Sequence, residues 1–486
     1  MTDRRLERAG APEGTHEAAA ADAAAASSRV AVDGRRVLRL WLPLGASWLL
    51  MACEPVLVIR AISGLADPTI QLASWSSVVF PVSLAVEAPI IMILAASTAL
   101  STDARRYAQV GRFTLVLGLA LTALHALIAF TPLYDFVAGD LLASRPEVLD
   151  AARLGLMLML PWTFAIGWRR YQQGLLIRYE RSGDVGRGTL VRLVTTASVL
   201  YGLSRYGALD GVVVAALGVC AGVIAEALYA HGCATLVRPR LRATPLGEPL
   251  TRAGFVRFYG PLALTPLITL FIQPIGAASM NRMPRDLESV AAWGPVHALV
   301  FLSRSVGMAF NEVVVTLAGL SGGLAALRRF ALWLAGGTVA ALALVAATPL
   351  GAYWFDHAQH LPPSVAELAR GGALLALVMP ATQVAQSWYQ GLLVHRRTTR
   401  PITEAVVLYF ALSLGLLQLG IVLAGRGVCH WPGVYWTVAT FSIASVVQTW
   451  WLHRRTHSRL APSAREAELT GCGSTTRRRA RRRSGP

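Results

Sequence analysis

The sequence predicts an all-α polytopic membrane protein with twelve transmembrane helices in two parallel six-helix repeats. Three observations lead to this fold class: an apolar composition, a series of long apolar stretches, and a repeat at a spacing of about 218 residues. Hydrophobic residues form 54% of the 486-residue chain and charged residues only 15%, whereas soluble domains carry roughly 25% charged residues. A soluble domain could not bury so much apolar surface.

The apolar stretches set the number of predicted helices, because a helix needs roughly 20 mostly apolar residues to span a bilayer. Interior Gly and Pro, with little strict alternation of apolar and polar residues, favour helices over a membrane β-barrel. The twelve predicted spans are 38–62, 72–99, 111–131, 153–177, 188–206, 211–233, 255–279, 288–318, 329–352, 371–394, 402–424 and 432–452.

The repeat rests on short matches that recur in the same order at nearly the same spacing. Residues 72–75 (LASW) match 290–293 (VAAW) and residues 43–44 (PL) match 261–262, both at an offset of 218. Residues 173–176 (QGLL) match 390–393 at an offset of 217. With six spans per repeat, both halves enter the membrane in the same orientation, as in transporters that bind substrate between parallel halves.

The arginine distribution predicts the topology. All basic residues other than histidine are arginine, and 36 of the 45 fall in the two tails and in alternate loops. This bias predicts that both termini lie in the cytoplasm. We expect the protein to lie in the inner membrane of the cell. The predicted segments are a disordered leader (1–34), a six-helix lobe (35–236), a cytoplasmic linker (237–253), a second lobe (254–454) and a disordered Arg-rich tail (455–486).

The net charge of +18 could suggest nucleic-acid binding, but its distribution favours another partner. Arginines 477–479 and 481–483 predict a tail attracted to anionic lipid; a specific regulatory or nucleic-acid role is the alternative. We expect a monomer in the bilayer, with a small-molecule substrate and without nucleic acid. The chain has no lysine, which rules out the phosphate-binding GxxxxGK[ST] motif. ATP hydrolysis by this chain is therefore unsupported, and no other catalytic motif is found, so we expect no enzymatic activity and no cofactor. Energy is expected from an H⁺ or Na⁺ gradient, from the membrane potential or from the substrate gradient.

Polar residues inside the spans are the candidate site, because a charge in hydrocarbon needs a partner, a cavity or a proton. His297, Arg304 and Asn311 in helix 8 are spaced i, i+7, i+14, so they form one polar stripe. Glu312 lies off that stripe. Helix 2, the repeat counterpart, carries a similar stripe ending at Glu87.

Glu87 and Arg304 lie at matching depth, since the offset of 218 maps Glu87 onto the neighbour of Arg304. We hypothesise that they face each other across the lobe interface, as a gating ion pair or as two ends of a substrate site. The alternative is a static buried pair, or separate local partners.

Glu54 precedes Pro55 in helix 1, and Gln273 precedes Pro274 at the corresponding place in helix 7. Proline weakens a helix by removing a backbone hydrogen bond, and a carboxylate beside freed carbonyls is a candidate H⁺ or Na⁺ site. The alternative is an acid hydrogen-bonded to a neighbouring helix without a role in coupling.

Other polar groups are assigned simpler roles. His125 is interpreted as a packed residue, and Glu226 as a local hydrogen-bonding acid or a contributor to coupling. Arg169 and Arg170 are assigned to a cytoplasmic helix end, beside a turn at residues 173–174.

Several short motifs add a family resemblance. They are residues 43–45 (PLG), 124–130 (LHALIAF), 258–264 (FYGPLAL), 273–275 (QPI) and the Gln-Gly pairs after the fourth span of each half. With twelve spans in two halves, they resemble the multidrug and toxic compound extrusion (MATE) family of the MOP flippase superfamily, and within it the progressive ankylosis branch. The resemblance implies two six-helix lobes around a cavity lined by helices 1, 2, 7 and 8.

Three functions are compatible with these observations. A MATE-like exporter of small organic solutes predicts an acidic, aromatic cavity, and an exporter of pyrophosphate- or citrate-type anions predicts an arginine in it. A flippase of lipid-linked saccharides predicts a larger basic cavity open to lipid. A channel is disfavoured because no filter-like loop is present, and a membrane scaffold because it leaves the intramembrane charges unexplained.

Overall fold

The computed structural model describes residues 32–396 and 398–458, and every regular element in this part of the chain is a helix. Residues 1–31 of the predicted leader and 459–486 of the predicted tail, including the run of arginines, lie outside the described residues. The all-helical prediction is confirmed for the described part.

The first half contains six long helices. They are α1 (Gly34–Ser63), α2 (Pro68–Leu100), α3 (Ala104–Phe130), α4 (Pro146–Leu158 and Leu160–Arg178), α5 (Ser182–Tyr206) and α6 (Gly211–Ala243). Helix α2 contains a π-helical segment, Ser74–Val79, and a 3₁₀ turn, Ala88–Ile90. A short π-helical segment, Asp135–Leu141, lies between α3 and α4.

The second half follows the same order. Its helices are α7 (Arg252–Met280), α8 (Asp286–Leu317, in two segments that meet at Ala309), α9 (Gly323–Ala347), α10 (Pro363–Leu375 and Met379–His395), α11 (Arg400–Gly425) and α12 (Gly433–Ser458). Between α9 and α10 lie Pro349–Ala352 and the π-helical segment Tyr353–Ala358.

In the described residues, eight of these helices are long and apolar enough to cross a membrane, or up to ten if the bent pairs α4 and α10 each form one span. Helices α5 and α12 have 25 and 26 residues but do not meet the same criterion of hydropathy and charge. For α5 the reason is its ionised side chains, among them Arg187 and Arg192. The count of twelve spans therefore stays a prediction.

Equivalent details occur in the two halves at the predicted offset. The two segments of α4 meet at 41° and those of α10 at 42°. In the first segment of each bent helix an arginine Nε donates to a carbonyl of the preceding helix: Arg153 to Ala129 (3.2 Å) and Arg370 to Ala346 (3.3 Å). Both residues of each contact are separated from their counterparts by 217 positions.

The predicted Gln-Gly turns are not turns. Gly174 lies inside the second segment of α4, and Gly391 lies inside the second segment of α10. A Cβ at Gly174 would lie 2.5 Å from the Cβ of Ser97 in α2, and one at Gly391 would lie 2.7 Å from the Cβ of Val314 in α8. Both glycines therefore permit close packing of two helices. This packing, rather than a turn, explains why the Gln-Gly pair occurs in both halves.

The predicted linker is partly helical and is held against the first half. Helix α6 continues to Ala243. Beyond it, Gln109 in α3 donates to the carbonyl of Leu250 (3.1 Å) and accepts from its N–H (2.9 Å), while Arg106 donates to the carbonyl of Glu248 (2.8 Å).

Candidate functional site between the two halves

A cavity of about 240 Å³ lies between the two halves. Helices α1, α2, α4, α5 and α6 line it from the first half, and α7 and α8 line it from the second. Trp75 and Trp293, the tryptophans of the repeat, both line it. Further aromatic side chains in the wall are Phe80, Trp162 and Phe301. The cavity thus combines an aromatic surface with the charged groups described next.

Glu54 on α1 is buried and bound on both carboxylate oxygens. Arg192 on α5 donates through Nε to Oε1 (2.9 Å) and through Nη2 to Oε2, and Thr196 donates to Oε1 (3.1 Å). Arg192 and Thr196 are four residues apart, so they share one face of α5. Helix α1 remains helical through Pro55, so the expected helix break is not seen there.

Glu226 on α6 forms a second buried centre. Arg169 donates to Oε2 (2.5 Å) and Gln173 to Oε1 (3.0 Å), and the Nη1 atom of Arg192 lies 3.9 Å from Oε2. Arg192 therefore bridges Glu54 and Glu226 into one network. A paired arrangement is what a charge needs in a medium of low dielectric constant, where an unpaired ion costs several kcal/mol.

Three arginines near this network lie deeper in the protein than expected from the sequence. Arg169 and Arg170 were expected at a cytoplasmic helix end, and Arg192 was counted among the cytoplasmic loop arginines. All three lie within helices and line the cavity. Arg169 is 5% exposed. One signal could have identified two of them: Arg169 with Gln173, and Arg192 with Thr196, each pair a polar side chain with a polar partner four positions later.

Glu87 on α2 differs from the other two acids. It is 4% exposed, and its Oε2 atom has no hydrogen-bond partner among the described residues. Its electrostatic interactions are with Arg169, Arg170 and Arg192. The Nε atom of Arg170 is likewise buried without a hydrogen-bond partner in the described part. The Nε atom of Arg169 is also without a partner among the described residues, but Arg169 is already paired with Glu226. Glu87 is therefore the acid of the network with bonding capacity left.

A second, smaller cavity of about 60 Å³ lies within the second half. Gln273, His297, Arg304 and Tyr409 are its polar lining residues. Gln273 and His297 also line the central cavity, and their side chains approach to 3.4 Å. Arg304 donates to the side chain of Gln383 (2.7 Å), while its Nε has no hydrogen-bond partner among the described residues.

The expected pairing of Glu87 with Arg304 is not formed. Glu87 interacts with arginines of its own half, and Arg304 with Gln383 and Tyr409 of the second half. The repeat offset places the two residues at equivalent positions of their helices, but each side chain interacts with residues of its own half. This arrangement corresponds to the alternative of separate local partners.

The remaining predicted residues divide between the cavities and the packing. Asn311 lies near the backbone carbonyl of Ser387 (3.4 Å), and Glu312 is exposed; neither lines either cavity. His125 is fully buried and uses both ring nitrogens, towards Thr163 (2.7 Å) and Leu156 (3.0 Å), in agreement with its interpretation as a packed residue.

Comparisons with solved structures identify the fold. The chain is similar to an inward-facing multidrug resistance MATE family transporter of the MOP superfamily, with 14% identity, a TM-score of 0.65, and coverage of 88% of this chain and 99% of that one. It is also similar to a MOP superfamily transporter from Pyrococcus furiosus described as having a binding pocket of reverse polarity (14% identity, TM-score 0.59, coverage 88% and 97%). A third similar structure is the lipid II flippase MurJ in an inward closed conformation (12% identity, TM-score 0.59, coverage 84% and 86%).

No protein-family model matches the sequence, and a search of curated proteins gave no match. The chain therefore has the fold of the MATE-like MOP superfamily, a multi-pass membrane fold, as the family resemblance predicted. The progressive ankylosis branch stays a prediction.

Proposed function

We propose that this protein is a secondary active transporter that exports a small organic solute by alternating access, coupled to H⁺ or Na⁺. The proposal includes twelve spans in two parallel repeats, cytoplasmic termini and a place in the inner membrane of the cell. The fold and the equivalent details in the two halves support it. Parallel repeats of this kind bind substrate between the halves and expose it alternately to each side.

The observation that carries the proposal is Glu87. Its carboxylate lies in the wall of the central cavity with one oxygen free of hydrogen bonds to the described residues. Such a group can accept a proton or contact a cation without first breaking a bond, and ionisable groups that line cavities inside a membrane commonly mark transport pathways. Glu54 and Glu226 are occupied by arginines, so Glu87 is the best candidate for the coupling group.

The wall of the cavity supports a partly apolar solute. Five aromatic side chains provide stacking and apolar surface, while the acids and arginines of the network balance one another. An anionic solute is the second candidate, because Arg170 in the central cavity and Arg304 in the adjoining one have unused guanidinium donors. A lipid-linked saccharide remains an alternative that the transport assay below distinguishes.

The ionic contact between the halves lies at the end of the bundle opposite the N terminus of α1, here called the distal end, and supports a state closed on that side. Arg145 and Asp286 form a bidentate ion pair (2.7 and 2.6 Å), and Asn281 donates to the carbonyl of Leu142 (2.7 Å). Both contacts join the two halves. At the other end the halves are joined by neutral hydrogen bonds, from Trp41 to the carbonyl of Val306 (2.9 Å) and from the N–H of Val32 to the carbonyl of Ser321 (3.0 Å). The higher TM-score with the inward-facing MATE structure (0.65) than with an outward-facing one (0.56) agrees with this proposal.

Transport by the purified full chain in proteoliposomes tests the proposal. Citrate, pyrophosphate, an organic cation and a fluorescent lipid-linked saccharide are offered with no gradient, a proton gradient or a sodium gradient. We expect uptake of one class to accelerate with one of the gradients, and liposomes without protein give the background rate. Absence of protein-dependent transport or of gradient dependence across a wider panel of organic solutes would contradict the proposed function.

A further inference from the structure

The second cavity contains a cation without a matching anion. Arg304 lies on α8, and no described carboxylate forms an ion pair with it. Its side chain donates a hydrogen bond to the neutral amide of Gln383 and interacts electrostatically with Tyr409 and His297. Arg169 and Arg192 in the first half differ, since each has a carboxylate partner.

The surroundings of Arg304 are otherwise apolar. The cavity wall contains no acid, and aliphatic or aromatic side chains form most of it. Its remaining polar lining groups are Gln273, His297 and Tyr409, each of which can donate a hydrogen bond. The Nε–H of Arg304 is buried and has no hydrogen-bond partner among the described residues, and such a donor carries a desolvation cost unless an anion or ordered water compensates it.

The cavity has room for a ligand of limited size. Its volume is about 60 Å³, and one water needs roughly 10–15 Å³ of space measured in this way. An anion of up to about four heavy atoms fits, whereas a polyhydroxy carboxylate does not. Since Gln273, His297, Trp293 and Phe301 line both cavities, a ligand in the smaller cavity lies beside the proposed transport pathway.

We propose that the cavity at Arg304 is a binding site for one small monovalent anion, either an inorganic ion of halide size or a compact carboxylate. The guanidinium of Arg304 supplies the charge, with its Nε as the donor left open by Gln383. Gln273, His297 and Tyr409 supply neutral hydrogen bonds around the anion. The site does not depend on the proposed coupling role of Glu87.

Thermal unfolding of the purified full chain in detergent tests the site without requiring transport. The sodium salts of chloride, bromide, nitrate, formate and acetate are titrated against gluconate at constant ionic strength. We expect the unfolding temperature of the wild type to rise saturably with at least one small anion, because a ligand of the folded state stabilises it. Stabilisation by halides alone identifies an inorganic ion, and stabilisation by formate or acetate alone identifies a carboxylate.

The variant Arg304→Gln should raise the apparent dissociation constant for the stabilising anion by about tenfold or more, since a hydrogen bond to a charged group is lost. Arg328→Gln is the matched control: it removes the same charge at an exposed position on α9, and the constant should not change. No saturable anion effect in the wild type, or an equal effect in Arg304→Gln, overturns the proposal.

Arg304→Lys provides a second test in case the glutamine variant does not fold. Lysine keeps the charge but presents a compact ammonium in place of the planar guanidinium. We expect anion binding to persist with a changed affinity or a changed order among the five anions. The same affinities and the same order as in the wild type place the anion elsewhere and overturn the assignment.

Discussion

At the scale of single residues, the network around Glu54 is held by reciprocal charges. In the interior of the first half, Arg192 donates charge-assisted hydrogen bonds to Glu54 and forms a longer ion pair (3.9 Å) with Glu226. The position of Glu54 inside the first apolar span, just before Pro55, predicted an acid within the membrane. Its partner was missed because Arg192 was counted with the cytoplasmic loop arginines. The polar side chain of Thr196, four positions later, is a sequence signal for a buried arginine, but that Arg192 pairs with Glu54 follows only from the packing of α5 against α1.

The first prediction concerns this pair. Glu54→Gln leaves the charge of Arg192 with weaker compensation, so we expect a loss of about 3–5 kcal/mol of unfolding free energy. The double variant Glu54→Gln/Arg192→Gln should lose clearly less than the sum of the two single losses. Unfolding of the detergent-solubilised protein measures both, with Glu312→Gln, an exposed acid outside both cavities, as the control. Additive losses would show that the two side chains do not interact.

The second prediction concerns Asp103, which caps α3 and binds the linker. Its carboxylate accepts from the N–H groups of Arg105 (3.0 Å) and Arg106 (3.1 Å). Burial acts to raise its pKa, but the N–H groups of Arg106 and Gly247 and the hydroxyl of Thr102 outweigh it, so the pKa of Asp103 lies below its ordinary value.

A lowered pKa in the folded state means that Asp103 stabilises the protein fully above the ordinary carboxyl pKa of about 4 and loses that contribution as the pH falls further. We expect Asp103→Ala to cost about 0.5–2 kcal/mol at pH 7, measured by thermal unfolding. The difference between variant and wild type should shrink in acid. A difference that stays constant from pH 7 to pH 3 would contradict this account.

At the scale of helices, the repeated glycines fix how α4 packs on α2 and how α10 packs on α8. The sequence identified the Gln-Gly pairs as repeat anchors but assigned them to turns, because glycine is common both at helix ends and where two helices approach closely. The contacts of Ser97 and Val314 show the second reason. From a single sequence, a glycine at a helix end cannot be distinguished from a glycine at a close contact between helices.

The third prediction tests this packing. Gly174→Ala and Gly391→Ala should each destabilise the protein by about 1–3 kcal/mol, as expected when a well-packed interface receives an extra methyl group. Gly336→Ala on α9 is the control, because nothing lies within 4 Å of its added Cβ. It should be neutral or stabilising by about 0.5–1 kcal/mol, since alanine favours a helix over glycine. Equal effects at the three positions would contradict the packing role.

At the scale of the whole molecule, the all-helical membrane fold followed from the length and hydropathy of the apolar segments. These are properties of long segments, and the bilayer imposes them on the sequence directly. The relation between Glu87 and Arg304 did not follow, because it depends on how two lobes pack rather than on depth in the membrane. Each lobe provides its own partners for its charges.

The fourth prediction concerns the distal contact between the lobes. A double-mutant cycle of Arg145→Ala and Asp286→Ala should give a coupling energy of up to about 1 kcal/mol, because the pair is bidentate but partly exposed. The coupling should decline at high salt, as screening predicts. Thermal unfolding at low and high salt measures it. Coupling that is independent of salt, or zero at low salt, would indicate that this contact does not hold the lobes together.

The central claim is that Glu87 couples transport to an ion gradient, and gradient-driven uptake into proteoliposomes tests it most directly. Wild type, Glu87→Gln and Glu312→Gln are compared for the solute identified by the substrate panel, with and without the gradient. We predict that Glu87→Gln loses the gradient-dependent component by about tenfold or more, as expected for loss of a group with a defined proton-transfer role, while Glu312→Gln keeps it. Gradient dependence in Glu87→Gln equal to that of the wild type would contradict the account.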